Sequence, residues 1–192
     1  VELLASAKRP VFYTGGGVIN SGPEASRLLR EFVARTGIPV TSTLMGLGAY
    51  PASGENWLGM LGMHGTYEAN LAMHDCDVMI CLGARFDDRI TGRLDAFSPN
   101  SRKVHVDIDP SSINKNVRVD LPIIGDVGHV LKAMLEAWNE LGLTMDTGAL
   151  AEWKGQIARW KARNCLAYRQ DGDIIMPQHA VKRLYDCLLY TS

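Results

Sequence analysis

Four charged residues follow an apolar run in the middle of the chain and have the chemistry of a ligand-binding loop. In the string CLGARFDDRITG, residues 81–92, Arg85, Asp87, Asp88 and Arg89 lie within five positions. Guanidinium and carboxylate groups bind charged and hydrogen-bonding ligands, but the same residues would also suit a solvated loop with weak ion pairs. Both interpretations stay open on these residues alone.

Three consecutive glycines, Gly15 to Gly17, are a second candidate for ligand binding. They follow the apolar string PVFYT, residues 10–14, and precede a helical pattern that ends at Gly37. A glycine turn between a strand and a helix brings backbone N–H groups close to a phosphate. The dinucleotide pattern G-x-G-x-x-G is only half present, because Asn20 takes the place of the third glycine, so a tight structural turn is an equal alternative.

Acidic residues stand where the next predicted strands end. Asp107 and Asp109 close the string KVHVDIDP, and Asp126 follows LPIIG. A carboxylate at a strand end can accept hydrogen bonds from ribose hydroxyls, and Asp126 could also cap the helix that follows it. The Asp-x-Asp pair has no third acidic ligand nearby in sequence, so we predict no metal site.

His64 and three methionines lie on or beside predicted loops at strand ends. His64 stands just before a helix, where its ring could meet a ligand or form only local hydrogen bonds. Met45, Met60 and Met63 suit either core filling or an adaptable apolar wall around a flat ligand. Residue type alone does not decide between these alternatives.

These loops must be positioned by the elements that precede them, and the apolar pattern predicts alternating strands and helices. Short apolar runs bounded by turn residues predict parallel strands at 10–14, 38–42, 78–82, 103–108 and 121–125. Helical spacing predicts helices at about 22–36, from about 66 into the 70s, at 127–141, at 149–168 and from Pro177 onward. The predicted fold class is α/β, a Rossmann-like parallel sheet flanked by helices, plus a C-terminal helical linker segment. Ligands of such sheets bind beyond the carboxyl ends of the strands, where all the candidate residues lie.

Bulk composition excludes several classes of protein. The 192 residues are 46% hydrophobic with a formal net charge of −1, which fits one well-buried domain plus an additional segment. The sequence has neither a basic stripe for nucleic acid nor an apolar run long enough to span a membrane. Four scattered cysteines without a CxxC pair predict reduced thiols, and we expect a soluble, cytoplasmic protein.

Longer strings of the sequence resemble the central domain of the acetolactate synthase (acetohydroxyacid synthase) large catalytic subunit, a thiamine diphosphate enzyme of branched-chain amino acid biosynthesis. The resemblance rests on GARFDDRITGRLDAF, on TLMGLGAYP and LGMHGTYEANLAM before it, and on VHVDIDP after it. It runs in nearly continuous order from about Arg9 to Tyr185. The string RFDDR followed by TG is specific to that branch, whereas GGG and DIDP are shared more widely among thiamine diphosphate enzymes.

The resemblance implies that this domain binds FAD across the strand ends, with no net redox role for the flavin in the overall reaction. The cofactor-binding residues that it implies are Gly16, Gly17, Thr43, Leu44, Met45, Met63, His64, Gly83, Ala84, Arg85, Asp87, Arg89, Asp107, Ile108, Asp126 and Val127. Met63 and His64 would contact the flavin side, the residues from Gly83 to Arg89 the central portion, and the last four the adenosine end. It also implies that Met63, Asp88 and Arg89 line a channel to the active site, where sulfonylurea-type herbicides bind.

The parent reaction implied by the resemblance is the decarboxylation of pyruvate on thiamine diphosphate and addition to a second 2-keto acid, pyruvate or 2-ketobutyrate. In that family an activating glutamate lies in an amino-terminal domain, and a GDG…N motif that holds Mg2+ and the diphosphate lies in a carboxy-terminal one. Neither occurs in this sequence, so no catalytic residue is assigned and we expect the piece to be inactive alone. The implied partners are further catalytic subunits in a homo-oligomer, with or without a regulatory subunit.

The expected division is a central domain at 1–142, a linker and helix at 143–176, and the start of a carboxy-terminal thiamine diphosphate-binding domain at 177–192. Because the chain lacks an initiating methionine and its final CLLYTS departs from the family pattern, we expect a piece of a longer protein and give residues 188–192 no role. One alternative is a nucleotide-binding module without catalysis, against which RFDDRITG argues. Another is a different thiamine diphosphate enzyme, such as pyruvate oxidase or glyoxylate carboligase, which should differ in the LGMHG and RFDDR loops.

Overall fold

A six-stranded parallel sheet forms the centre of the chain in the computed structural model, which describes residues 1–189. In chain order the strands are β1 (Pro10–Thr14), β2 (Val40–Ser42), β3 (Trp57–Met60), β4 (Val78–Leu82), β5 (Arg102–Asp107) and β6 (Leu121–Ile124). Their spatial order is β3-β2-β1-β4-β5-β6, and every neighbouring pair is parallel. This is the strand order of a Rossmann sheet, in which the winding direction reverses between β1 and β4. The predicted α/β class is confirmed.

Helices cover both faces of the sheet. They are α1 (Glu2–Ala5), α2 (Gly16–Asn20), α3 (Pro23–Thr36), α4 (Tyr67–Asp75), α5 (Asp88–Thr91), α6 (Val127–Glu140), α7 (Thr147–Lys161) and α8 (Pro177–Leu189). Single turns of 3-10 helix occur at Leu44–Gly46, Leu94–Ala96 and Pro110–Ser112.

Alternate residues of the central strands point into two separate apolar clusters, one on each face. Phe12 and Ile80 belong to the cluster covered by α3 and α6, whereas Tyr13 and Met79 belong to the cluster covered by α4 and α7. All five residues of β1 and all five of β4 are buried. Burial on both faces is why these strands read as continuous apolar runs.

The structure corrects three of the predicted elements. β3 at Trp57–Met60 was not predicted, and the glycine turn after β1 is a short helix, α2 at Gly16–Asn20. The helix predicted at 149–168 ends at Lys161. Asn164 adopts a left-handed backbone conformation with φ of 47°, which stops a helix from continuing.

Helix α7 packs on the sheet although it was predicted within a linker segment. The Trp153 side chain is only 3% exposed, and its indole N–H donates to the Pro10 carbonyl over 3.1 Å. Ile157, one turn further on, is buried in the same cluster. Helix α8 differs, since Val181 and Leu184 on it are exposed. Of the tail at 188–192, residues 190–192 lie outside the described residues.

Candidate functional site

One cavity of about 740 Å³ lies beyond the carboxyl ends of the strands, across the point between β1 and β4 where the winding reverses. All sixteen residues predicted to bind the cofactor line it. Its volume falls in the range of roughly 300–1,000 Å³ that is usual for small-molecule and cofactor sites. The lining residues outside the predicted set are Asn20, Ser21, Met60, Leu61, Ile90, Asp109 and Ser112.

Two glycine loops meet backbone to backbone at the floor of the cavity. A Cβ atom on Gly15 would lie 2.3 Å from the Gly83 carbonyl oxygen, and one on Gly17 would lie 2.6 Å from the Gly83 Cα. The Gly17 N–H donates to the Gly83 carbonyl over 2.9 Å, and Gly83 has a positive φ of 57°. The packing of the β1 and β4 loops therefore accounts for Gly15 and Gly17, the two glycines that fitted the dinucleotide pattern.

Gly16 differs from its two neighbours. A Cβ atom there would have the Met45 side chain as its nearest neighbour, at 3.3 Å, with no backbone contact under 3.5 Å. Gly16 lines the cavity and is the first residue of α2, so its N–H has no acceptor within that helix. The cavity, and not the packing of the two loops, therefore best explains why position 16 has no side chain.

The charged loop after β4 brings Arg85, Asp87 and Arg89 to the cavity wall. Arg85 Nη2 and Asp87 Oδ2 are 3.3 Å apart, and these side chains are 68% and 46% exposed. Such an exposed pair contributes on the order of 0–1 kcal/mol, so the guanidinium can exchange its partner for a ligand anion at low cost. Asp88 lies at the exposed start of α5 and is not among the cavity-lining residues.

The loop that carries Met63 and His64 is held against the charged loop. The Met63 N–H donates to the Arg89 carbonyl over 3.0 Å. The Asn70 side chain accepts from the Gly62 N–H over 2.8 Å and donates to the Gly62 carbonyl over 3.0 Å. Met63 and His64 therefore line the cavity from a loop whose backbone is bonded on both sides.

Large apolar side chains line the cavity yet remain open to solvent. Leu44 is 67% exposed, Met45 74%, Met63 65% and Ile108 71%. The methionines Met45, Met60 and Met63 all line the cavity, which favours the predicted apolar wall over core filling. An exposed apolar lining inside a concave site is typical of a surface that a ligand covers.

Two carboxylates occupy the end of the cavity near β5 and β6. Asp107 accepts from the Asp109 N–H over 2.9 Å. Asp126 accepts from the Gly128 and His129 N–H groups at the start of α6 and from the Ser21 hydroxyl over 2.5 Å. The predicted capping role of Asp126 is thus present, and the carboxylate also lines the cavity. The Ser21 hydroxyl, with the two N–H groups, lowers the pKa of Asp126 from its ordinary value of 3.8.

We expect the Ser21→Ala variant to raise the pKa of Asp126 towards 3.8, because the hydroxyl is the largest cause of the depression. A carboxyl whose folded-state pKa is depressed contributes stability above its unfolded pKa, and that stability is lost as pH falls through the folded pKa. In the variant the folded and unfolded pKa values lie closer together, so this contribution should be smaller and less stability should be lost on acidification. NMR titration of the Asp126 carboxyl carbon and the free energy of unfolding against pH would measure both effects. An unchanged Asp126 titration in Ser21→Ala would contradict the assignment.

Residues 1–189 contain neither a candidate metal cluster nor a helix suited to a membrane. No group of three or more His, Cys, Asp or Glu side chains in that range could hold a metal ion. No helix within it is long and apolar enough to cross a membrane.

The strand order and the cavity at its reversal point are those of a doubly wound α/β domain of the Rossmann type. The family model described as thiamine pyrophosphate enzyme, central domain, matches residues 1–134. The chain belongs to this family of thiamine pyrophosphate enzymes and contains its central domain.

Similar proteins agree with this assignment. The chain is 46% identical over 185 residues to an acetolactate synthase large subunit of Haemophilus influenzae, covering 96% of this chain and 32% of that protein. It is 45% identical over 185 residues to the acetolactate synthase isozyme 3 large subunit of Escherichia coli K12, which again covers 96% of this chain and 32% of that protein. Against the chloroplastic acetolactate synthase 3 of Brassica napus it is 42% identical over 186 residues, 96% of this chain and 28% of that protein. The chain spans about a third of the length of the curated relatives it matches.

Proposed function

We propose that this chain is the FAD-binding central part of an acetolactate synthase large subunit. The observation that carries the proposal is the cavity at the strand ends, lined by all sixteen residues that the family resemblance implies for FAD. Similarity to acetolactate synthase large subunits along 96% of the chain supports the choice of enzyme within the family.

The chemistry of the lining residues changes along the cavity in the way FAD requires. Exposed apolar side chains, Met45 and Met63 among them, suit a flat ring system. Arg85 and Arg89 suit a diphosphate, which guanidinium groups bind through paired hydrogen bonds. Asp107 suits the ribose hydroxyls of an adenosine end. Gly16 lines the cavity without a side chain and so leaves room there for a ligand.

We propose the remaining properties of the parent enzyme from the same family relation. It would condense pyruvate with pyruvate or 2-ketobutyrate, with thiamine diphosphate and Mg2+ bound outside this chain. The proposed division is a central domain at 1–142, a linker and helix at 143–176 and the start of a thiamine diphosphate-binding domain at 177–192. Met63, Asp88 and Arg89 would line the channel to the active site, a role for which Asp88 would have to face a neighbouring domain.

Assembly and location are further parts of this proposal. We propose that catalytic subunits form a homo-oligomer, with or without a regulatory subunit. We propose the cytoplasm as the compartment, because the four cysteines are free thiols and reduced thiols are usual there.

Flavin titration of the 192-residue chain tests the proposal directly. We expect saturable quenching of FAD fluorescence and weaker binding of NAD and ADP, because of the three only FAD adds a large three-ring flavin to the diphosphate and the adenosine. Riboflavin serves as a control, since it lacks the diphosphate and should bind weakly. Saturable binding of NAD or ADP with no preference for FAD would favour a nucleotide-binding module instead.

Extending the reading frame tests the assignment to the parent enzyme. A domain with the activating glutamate should precede this chain, and a GDG…N motif should follow it. Flanking sequence that encoded neither would contradict the proposed enzyme while leaving the FAD test unaffected.

A further inference from the structure

Three consecutive backbone carbonyls of the charged loop, at positions 84, 85 and 86, accept hydrogen bonds from side chains that come from separate parts of the chain. The bonds are His105 Nε2 to Ala84 O at 2.9 Å, Cys81 Sγ to Ala84 O at 3.0 Å, Tyr13 OH to Arg85 O at 3.1 Å and Asn116 Nδ2 to Phe86 O at 2.7 Å. His105, Cys81 and Tyr13 are completely buried. The Ala84 and Arg85 carbonyl oxygens therefore point towards the protein interior, whereas the Phe86 carbonyl meets the exposed Asn116.

The direction of these carbonyls matters for an anionic ligand. A carbonyl oxygen carries partial negative charge and would repel a diphosphate if it faced the cavity. With the Ala84 and Arg85 oxygens bonded to interior donors, the loop presents the Arg85 side chain to the cavity, where it is 68% exposed. The interior donors thus fix the orientation of these peptide groups, with the carbonyl oxygens turned away from the ligand.

His105 is the donor whose bonding depends on its chemical form. Its ring is buried against Phe86, with the ring centroids 5.1 Å apart, and Nε2 lies 3.7 Å from Asp107 Oδ2. Nδ1 has no hydrogen-bond partner among the described residues. A neutral imidazole has one donor and one acceptor nitrogen, so an Nε2–H that faces the Ala84 carbonyl requires the proton to be on Nε2. Burial also lowers the pKa of His105 below its ordinary value of 6.5, which favours the neutral ring.

We propose that His105 is a positioning residue for the diphosphate of the bound cofactor. As the neutral Nε2–H tautomer, it holds the Ala84 carbonyl away from the cavity and thereby sets the position of Arg85. This inference rests on the proposed FAD function, since the diphosphate is that of the cofactor. His105 itself touches neither the cavity nor a reacting atom and acts only through the loop.

Two substitutions separate the donor from the volume of the ring. His105→Phe keeps a planar ring and removes the Nε2–H, whereas His105→Gln keeps an N–H donor at a similar distance from the backbone. Val104→Ala is the matched control, because Val104 is buried on the same strand but belongs to the cluster on the opposite face. All three variants should lose some stability, so stability alone does not test the role of His105. FAD affinity, which depends on the position of the charged loop, distinguishes the three variants.

FAD titration of these variants gives the expected pattern. His105→Phe should weaken FAD binding by roughly threefold to tenfold, the equivalent of one net hydrogen bond. His105→Gln should restore most of the affinity, and Val104→Ala should bind FAD like the wild type. Wild-type affinity in His105→Phe, or an equal loss in the Phe and Gln variants, would overturn the positioning role.

A measurement without flavin keeps this inference separate from the proposed function. Nitrogen-15 NMR of the wild-type chain should show His105 at neutral pH as the Nε2–H tautomer, with slow exchange of that proton. The Nδ1–H tautomer would overturn the inference even if FAD binds. A wild-type chain that binds no FAD would instead count against the proposed function, while the tautomer would still decide whether His105 holds the loop.

Discussion

Replacing Gly17 by alanine should destabilise the domain by roughly 2–3 kcal/mol, at the upper end of the cost of overpacking a well-packed interior. The added Cβ would lie 2.6 Å from the Gly83 Cα, and neither backbone can move without disturbing β1 or β4. The variant should also bind FAD poorly, because relief of the clash would push Gly83 and the charged loop outward. Urea unfolding and FAD titration measure the two effects.

Gly16→Ala is the matched control for this variant. Its Cβ would meet the Met45 side chain at 3.3 Å, and alanine is favoured over glycine within a helix, so stability should change by less than about 0.5 kcal/mol. If the cofactor approaches Gly16 closely, this variant should lose FAD affinity without losing stability. Equal destabilisation by the two alanines would contradict the assignment of Gly17 to the contact between loops.

Arg85→Ala should weaken FAD binding by roughly 1.5–3 kcal/mol, about 10- to 150-fold, the range for a hydrogen bond to a charged group. The free energy of unfolding should hardly change, because both side chains of the ion pair between Arg85 and Asp87 are exposed. Isothermal titration calorimetry with FAD, alongside urea unfolding, separates the two outcomes.

Arg93→Ala provides a control of the same chemistry outside the cavity. Arg93 pairs with Asp95 over 2.7 Å, with the side chains 79% and 72% exposed, and does not line the cavity. Its loss should leave FAD affinity unchanged. Equal affinity of Arg85→Ala and the wild type would remove Arg85 from the proposed diphosphate site.

Burial decides which elements could be predicted from the sequence. β1 and β4 lie in the middle of the sheet and are buried on both faces, so their apolar runs predicted their bounds correctly. β3 was missed because it lies at the edge of the sheet, is only partly buried and contains Gly59 at a positive φ of 92°. Helix α2 was missed because glycines disfavour helices, whereas here the contact with Gly83 requires residues without side chains.

The location of the cavity could be predicted, but the bonds that organise it could not. Arg85 follows one predicted strand and Asp107 lies at the end of another, and parallel strands bring their carboxyl ends to one edge. Nothing in the sequence indicates that Tyr13 and His105, which read as ordinary strand residues, bond to the charged loop. Such side-chain bonds to backbone carbonyls depend on the register between strands, which sequence periodicity does not specify.

The bond between Tyr13 and Arg85 joins residues that are 72 positions apart in the chain. The contact between the two glycine loops likewise requires β4 to have paired with β1. Contacts between distant residues form only after the cost of closing the intervening loop has been met. The cavity therefore cannot form from neighbouring residues while the chain is still being synthesised. When only β1 to β3 have left the ribosome, the glycine turn after β1 still lacks the Gly83 loop on which it packs. Flavin should therefore bind late in folding, to a sheet whose centre is already closed, and should stabilise the finished domain without guiding its assembly.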